Sequence, residues 1–221
     1  MKFLNREINA VIFDMDGTLI DSTSLWHEID KKFFARRNME LPKDYAQKIV
    51  HLGLRGAANL TRELYGVKES PDEIIHEWRQ MAIDMYRDEV MLKDGAIELL
   101  DLLRKNNLKL AIATANDEEL YMPCIKRLGI EKYFDFIADV NSSSEGKQSA
   151  KIYLDLADKM HSKAENTLVL EDMPTCIKTV HNSGFLTIAV FDNASSKFDE
   201  EKRSNSDLFI NNFNELIYLL K

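Results

Sequence analysis

The feature that most restricts this chain is a set of short, near-continuous apolar runs, at 8–13, 108–113, 134–140, 167–170, 186–191 and 208–210. Runs of strand length that are apolar at consecutive rather than alternating positions read as strands buried on both faces, the pattern of a parallel sheet. From about Asp94 onward, segments of helical spacing separate them. Between 94 and 107, Ile97, Leu99, Leu100, Leu102 and Leu103 make an apolar helical face, with Asp94 available as N-cap and Lys105, Asn106 and Asn107 as the stop. Parallel strands require such crossovers. Their repetition predicts an α/β fold, a doubly wound and mostly parallel sheet whose ligand crevice lies at the carboxyl ends of the strands.

The segment 22–89 breaks that alternation, because it contains no convincing strand and reads as several successive helices. Ser70-Pro71-Asp72-Glu73 is a capping box with proline at the first helical position, followed by Ile74, Ile75, Trp78, Ala82 and Met85 on one face. The expected organisation is an α/β core of 1–21 and 90–221 with an inserted helical cap domain, 22–89. Helices inserted after the first strand are placed to shield a site there from water, as lids do. A length of 221 residues fits one large domain or a core carrying a smaller one. The stretch 141–146, Asn-Ser-Ser-Ser-Glu-Gly, is a loop by composition.

Charge limits the partners. With 29 Lys and Arg against 37 Asp and Glu the net charge is −8, so the mean field repels nucleic acid and anionic lipid. An anionic substrate would meet the same repulsion unless its site carried a lysine, an arginine or a divalent cation. Cys124 and Cys176 lack CxxC partners, so neither a disulfide framework nor a thiolate zinc site is implied. The first nine residues are too polar for a signal-peptide core, and no apolar run reaches the roughly 18 residues a spanning helix needs. A cytoplasmic location with no membrane association is therefore expected, which makes the Asn-x-Ser/Thr matches at Asn59, Asn141 and Asn193 incidental.

Chemistry concentrates at the strand ends. The first strand runs into Asp14-Met15-Asp16-Gly17-Thr18, two carboxylates with like-facing side chains beside a buried strand. Like charges that close need a metal or a proton to relieve them, unless the pair is a polar turn led by Asp. A calcium loop starting at Asp14 fails at Thr18, Leu19 and Leu25, and a P-loop ending at Gly146-Lys147 fails at Asn141 and Gln148. The second run ends in Thr114-Ala115-Asn116, a hydroxyl and backbone N–H groups able to cradle a phosphate. Lys147 follows the third run and could supply a cationic contact; alone it reads more readily as a solvated surface lysine. Glu171-Asp172 closes the fourth, and in isolation is as readily a helix cap as a ligand pair.

Taken in order, these motifs resemble the signature of haloacid dehalogenase superfamily phosphatases with a helical cap of the first type, in their β-phosphoglucomutase-like branch. The resemblance spans essentially the whole chain. It implies Asp14 as nucleophile, forming an aspartyl-phosphate, and Asp16 as general acid and base. It further implies Mg²⁺ held by Asp14, the Asp16 backbone carbonyl and Asp172, with Glu171 acting behind the ligands or through water. Thr114 with the backbone of Ala115 and Asn116 would bind phosphoryl oxygens, and Lys147 would balance charge on Asp14 and the phosphate. The implied substrate is a small phosphorylated metabolite, a sugar phosphate or similar phosphomonoester, and the implied assembly a monomer or weak dimer.

Within the cap, Arg55 is the substrate-binding candidate if 52–56 forms a loop facing the crevice, and Trp26 and His27 are further positions of interest. The sequence departs from the family pattern at Gln148 and Ala150, where prolines are common, at Met173-Pro174, and at Cys176, where Gly is common. Lys151 is either a second cation near the site or a helix-surface lysine. A β-phosphoglucomutase-like phosphomutase is the enzyme alternative, and a non-catalytic phospho-switch or ligand-binding protein the alternative of another class. Signalling receivers carry their acid pair before the phosphorylated Asp; here the order is reversed.

Overall fold

A computed structural model describes residues 1–49, 52–139, 147 and 149–221. The chain opens with a two-residue antiparallel ribbon, β1 (Lys2–Phe3) and β2 (Arg6–Glu7), before β3 (Ala10–Asp14) and β4 (Ile20–Asp21). Four helices follow, α1 (Leu25–Ala35), α2 (Tyr45–Ile49), α3 (Gly53–Tyr65) and α4 (Pro71–Asp88). Next come β5 (Met91–Leu92), α5 (Ala96–Lys105), β6 (Lys109–Ala113), α6 (Glu118–Arg127) and β7 (Phe136–Ala138). The remainder is α7 (Lys151–Lys159), β8 (Thr167–Glu171), α8 (Pro174–Asn182), β9 (Leu186–Val190), α9 (Asp199–Ser204), β10 (Leu208–Ile210) and α10 (Phe213–Leu220). Among the described residues, no helix is long and apolar enough to cross a membrane.

Six strands form one parallel sheet in the order β10-β9-β8-β3-β6-β7. Every residue of β3, β8 and β9 is buried, as consecutive apolar positions require of strands covered on both faces. On one face Ala10 and Ile12 join Ala111, Ala113 and Val169 against Ile152, Tyr153 and Leu156 of α7, with Val180 and Phe185. On the other, Phe13 meets the rings of Phe134 and Phe213 edge-on. Ile12 is wholly buried, so trimming it to Ala would cost about 2–5 kcal/mol. Each expected apolar run holds one of these strands, most of them shorter than the run. Of the run 134–140, Val140 lies outside the described residues, as do Gln148 and the expected loop 141–146.

The strand order makes β3 the switch point. From β3 the chain builds outward through β6 and β7 on one side, then returns to the other through β8, β9 and β10. Connections diverge on opposite sides of β3, which leaves a crevice at its carboxyl end. Asp14 is the last residue of that strand.

The chain divides into two compact units, residues 1–23 with 90–221, and Ser24–Glu89. In the smaller unit, the rings of Phe33, Phe34, Tyr45, Tyr65 and Trp78 stack edge-on into its core. Its α4 begins with the expected capping box, Ser70 and Glu73 each bonding the other's backbone N–H. Two local expectations are corrected. The segment 52–56 is not a loop, because α3 starts at Gly53 and carries Arg55 in its first turn. Two glycines made it read as a turn, yet Gly56 serves packing: a Cβ there would meet Leu52 Cβ at 2.8 Å. Nor does Asp94 cap α5; that place is taken by Gly95 at φ 83°, a left-handed conformation open to glycine without steric cost.

Candidate active site

Three strand ends converge on one set of side chains. Asp14 closes β3, Thr114 follows β6, and Glu171 closes β8 with Asp172 beside it. All four are buried, between 0 and 4 % exposed. Asp14, Glu171 and Asp172 each present an oxygen within 4.8 Å of the others. At that separation two carboxylates repel by about 3–4 kcal/mol in an effective dielectric near 20, so the cluster needs positive charge.

Lys147 supplies part of it. Its ammonium pairs with Asp14 Oδ1, and with Glu171 Oε1 at 2.7 Å. Burial works against that charge, but the carboxylates of Asp14 and Glu171 outweigh it and hold the lysine well above its ordinary value. Glu171 is well occupied: Oε1 also accepts from Tyr153 OH at 3.1 Å, and Oε2 from the Met173 N–H at 2.8 Å. It therefore fixes Lys147 against Asp14 and has little left for another ligand.

Two oxygens are left over. Asp14 Oδ2 and Asp172 Oδ1 are buried without a hydrogen-bond partner among the described residues, although buried polar atoms are ordinarily paired. Burial, with the negative charge of Glu171 next, pushes the Asp14 carboxyl well above the usual carboxylate range despite Lys147. Burial, then Glu171 and Asp192, pushes Asp172 up to about 7. Three carboxylates against one ammonium leave two negative charges when all are ionised. Hard oxygen donors, among them the orphaned Asp172 Oδ1, and an excess of two charges fit one small divalent cation.

The turn after β3 shapes the site. Leu19 and Ile20 N–H both donate to the Met15 carbonyl, and Gly17 N–H to that of Ile20. Gly17 sits at φ +80°, and a Cβ there would lie 2.8 Å from Asp172 Oδ2. Only glycine lets this turn close against the second acid. Asp16 lies beyond the strand, so the alternation that made it like-facing with Asp14 stops one residue short. Its Oδ1 accepts from Ser22 Oγ at 2.7 Å and its Oδ2 from Asn116 Nδ2 at 2.8 Å.

The structure thus brings Asp14, Lys147, Glu171 and Asp172 together, and links Asp16 to Asn116. The Asn116 backbone N–H, expected among the phosphoryl donors, here donates to Thr114 Oγ1 at 3.1 Å. Arg55 lies in the helical unit, paired with Asp72 at 2.5 Å on an exposed face. Lys151 is exposed and paired with Asp155, a helix-surface lysine. Reading residue types at strand ends missed the side-chain roles of Ser22, Asn116 and Tyr153. Only the proximity of Ser22 and Asn116 to the acid and Thr motifs could have flagged them; nothing in sequence pointed to Tyr153.

The chain is similar in sequence and in fold to several known proteins. A Thermotoga maritima protein named phosphorylated carbohydrates phosphatase is 26% identical over 180 residues, covering 80% of this chain and 82% of that one. Hexitol phosphatase B of Escherichia coli strain K12 is 28% identical over 179 residues, 76% of each chain. The crystal structure of a putative beta-phosphoglucomutase from Thermotoga maritima shares the fold with a TM-score of 0.84 at 22% identity, over 96% of this chain and 98% of that one. The model of the haloacid dehalogenase-like hydrolases matches residues 11–190, a span that contains Asp14, Asp16, Thr114, Lys147, Glu171 and Asp172. With that span covering most of its length, the chain belongs to the haloacid dehalogenase-like hydrolase family.

Proposed function

We propose that this protein is a magnesium-dependent phosphatase that hydrolyses a small phosphorylated carbohydrate or similar phosphomonoester through an aspartyl-phosphate on Asp14. The observation that carries the reading is the division of labour between the two Asp14 oxygens. Oδ1 is held by Lys147, while Oδ2 is buried and unpartnered at the switch point of the sheet. A carboxylate oriented through one oxygen and bare at the other is arranged as a nucleophile. The names of the phosphatases from Thermotoga maritima and Escherichia coli support the carbohydrate class.

Asp14, Asp172 and the Asp16 carbonyl would hold the magnesium ion, which when bound supplies charge neutralisation between carboxylate and phosphoryl group. Asp14 Oδ2 attacks phosphorus as the ester P–O bond breaks, and Asp16 donates its proton to the departing alkoxide. Water then attacks the phosphorus of the aspartyl-phosphate, Asp16 takes its proton, and the P–O bond to Asp14 breaks to release phosphate. Lys147 neutralises charge on Asp14 and the transferring group, and Thr114 and the Ala115 N–H receive phosphoryl oxygens. Asp16 accepts one bond on each oxygen, from Ser22 and from Asn116, which orient its carboxyl and leave a lone pair free to carry the proton.

A panel of sugar phosphates, nucleotides and small phosphoesters, with and without Mg²⁺, tests the reading. Phosphate release from sugar phosphates only with the cation is expected, and release undiminished in EDTA would overturn it. Following isomerised product from a glucose bisphosphate in the same assay separates hydrolysis from mutase chemistry.

A further inference from the structure

Lys202 is an unusual residue to find wholly enclosed. It lies on α9 within Glu200-Glu201-Lys202-Arg203, a charged run that reads as solvated surface, yet it is 0 % exposed. Its ammonium donates to Ser195 Oγ at 3.1 Å, lies 2.9 Å from Asp199 Oδ1 and 3.4 Å from the Val190 carbonyl, and stands near the rings of Phe191 and Phe209. Burying a cation is costly, and it persists where each of its donors has a purpose. Here one of them reaches the acid cluster: Ser195, itself buried, bonds Asp172 Oδ2 at 3.2 Å.

We infer that Lys202, acting through Ser195, is a positioning residue for Asp172. An ammonium has donors and no acceptor, so Lys202 must donate to the Ser195 oxygen. The Ser195 hydrogen is then directed onward to Asp172 Oδ2, and a chain of bonds pointing one way strengthens each member. Gly17 lies against the whole carboxyl, where a Cβ would come within 2.8 Å of Oδ2 and 3.1 Å of Oδ1. With Oδ2 held by Ser195, the orphaned Oδ1 is left for a ligand, in a carboxylate that offers an oxygen within 4.8 Å of those of Asp14 and Glu171. Ser195 and Lys202 both lie beyond the 11–190 span matched by the family model.

The inference rests on the proposed magnesium site, and its test separates the two. Mg²⁺ alone is titrated calorimetrically into the full-length, metal-free chain, into Ser195→Ala, into Lys202→Met and into the double variant. Loss of an outer partner typically weakens metal binding by about 10- to 100-fold, and that is the increase in dissociation constant expected for Ser195→Ala. Lys202→Met raises it in the same direction, and the double variant adds less than the product of the two because both act through one chain. Should Lys202→Met fail to fold, Ser195→Ala alone decides. A Ser195→Ala dissociation constant within about threefold of wild type, even with lowered urea stability, would make the network merely structural and overturn the inference. If the wild type takes up no Mg²⁺, the magnesium reading itself falls, and this inference with it.

Discussion

A carboxyl in the helical unit offers a clean test of how burial sets behaviour in this protein. Asp30, on α1, is 8 % exposed, and no ion pair or hydrogen bond to it is found among the described residues. Burial alone pushes its carboxyl from 3.8 to about 7. At about 1.4 kcal/mol per pH unit, that displacement is worth about 4 kcal/mol. The sign follows from proton counting. Below 3.8 both folded and unfolded chains hold the proton and Asp30 contributes nothing. Between 3.8 and 7 the folded chain keeps a proton the unfolded chain has released, so stability falls as pH rises, and above 7 the full penalty applies. Asp30→Asn buries a neutral group of the same size and removes the penalty. Urea unfolding followed through Trp78, buried in the same unit against Phe33, should show the variant more stable by about 4 kcal/mol at pH 8.5 but only about 1 at pH 4.5. A variant no more stable than wild type at pH 8.5, or one with the same gain at both pH values, would refute the reasoning.

Other consequences can be measured alongside. Gly17→Ala places a Cβ at a left-handed φ, costing about 1–2 kcal/mol of stability, and presses on Asp172; urea melts should show that loss, and Mg²⁺ titration a weakened site. Asn116→Ala removes a donor from Asp16 and is expected to lower kcat by about tenfold with KM held, short of the 10²–10⁴ that general acid–base catalysis supplies; steady-state kinetics on a sugar phosphate checks it. Tyr153→Phe deletes one bond to Glu171 and should cost about 1 kcal/mol in urea unfolding, leaving Lys147 paired with Asp14.

What could be read from the sequence follows from which physical terms are local. Consecutive apolar residues announced β3, β6, β8 and β9, because burial on both faces leaves no other composition for a parallel strand. Acids and Thr114 at strand ends were legible for the same reason: the periodicity that locates a strand locates its end. The ribbons β1–β2 and β4–β5 were not, since two-residue strands carry no period. Gly53 and Gly56 suggested a turn from composition, whereas both lie in α3, where Gly56 packs closely against Leu52. Long-range side-chain bonds were the least visible. Lys202 lies in a run of charges, and only the tertiary fold carries it inside; Tyr153 carries no local signal, and its hydroxyl acquires a role only once the fold brings it to Glu171.

The central claim is that Asp14 bonds covalently to phosphorus. The most direct measurement is acid quenching during turnover of a radiolabelled sugar phosphate, followed by mass spectrometry of the peptides. The account predicts a phosphoryl group on the Asp14 carboxylate, absent from Asp14→Asn together with turnover. A phosphoryl group on any other side chain, or Asp14→Asn that still releases phosphate, would contradict it.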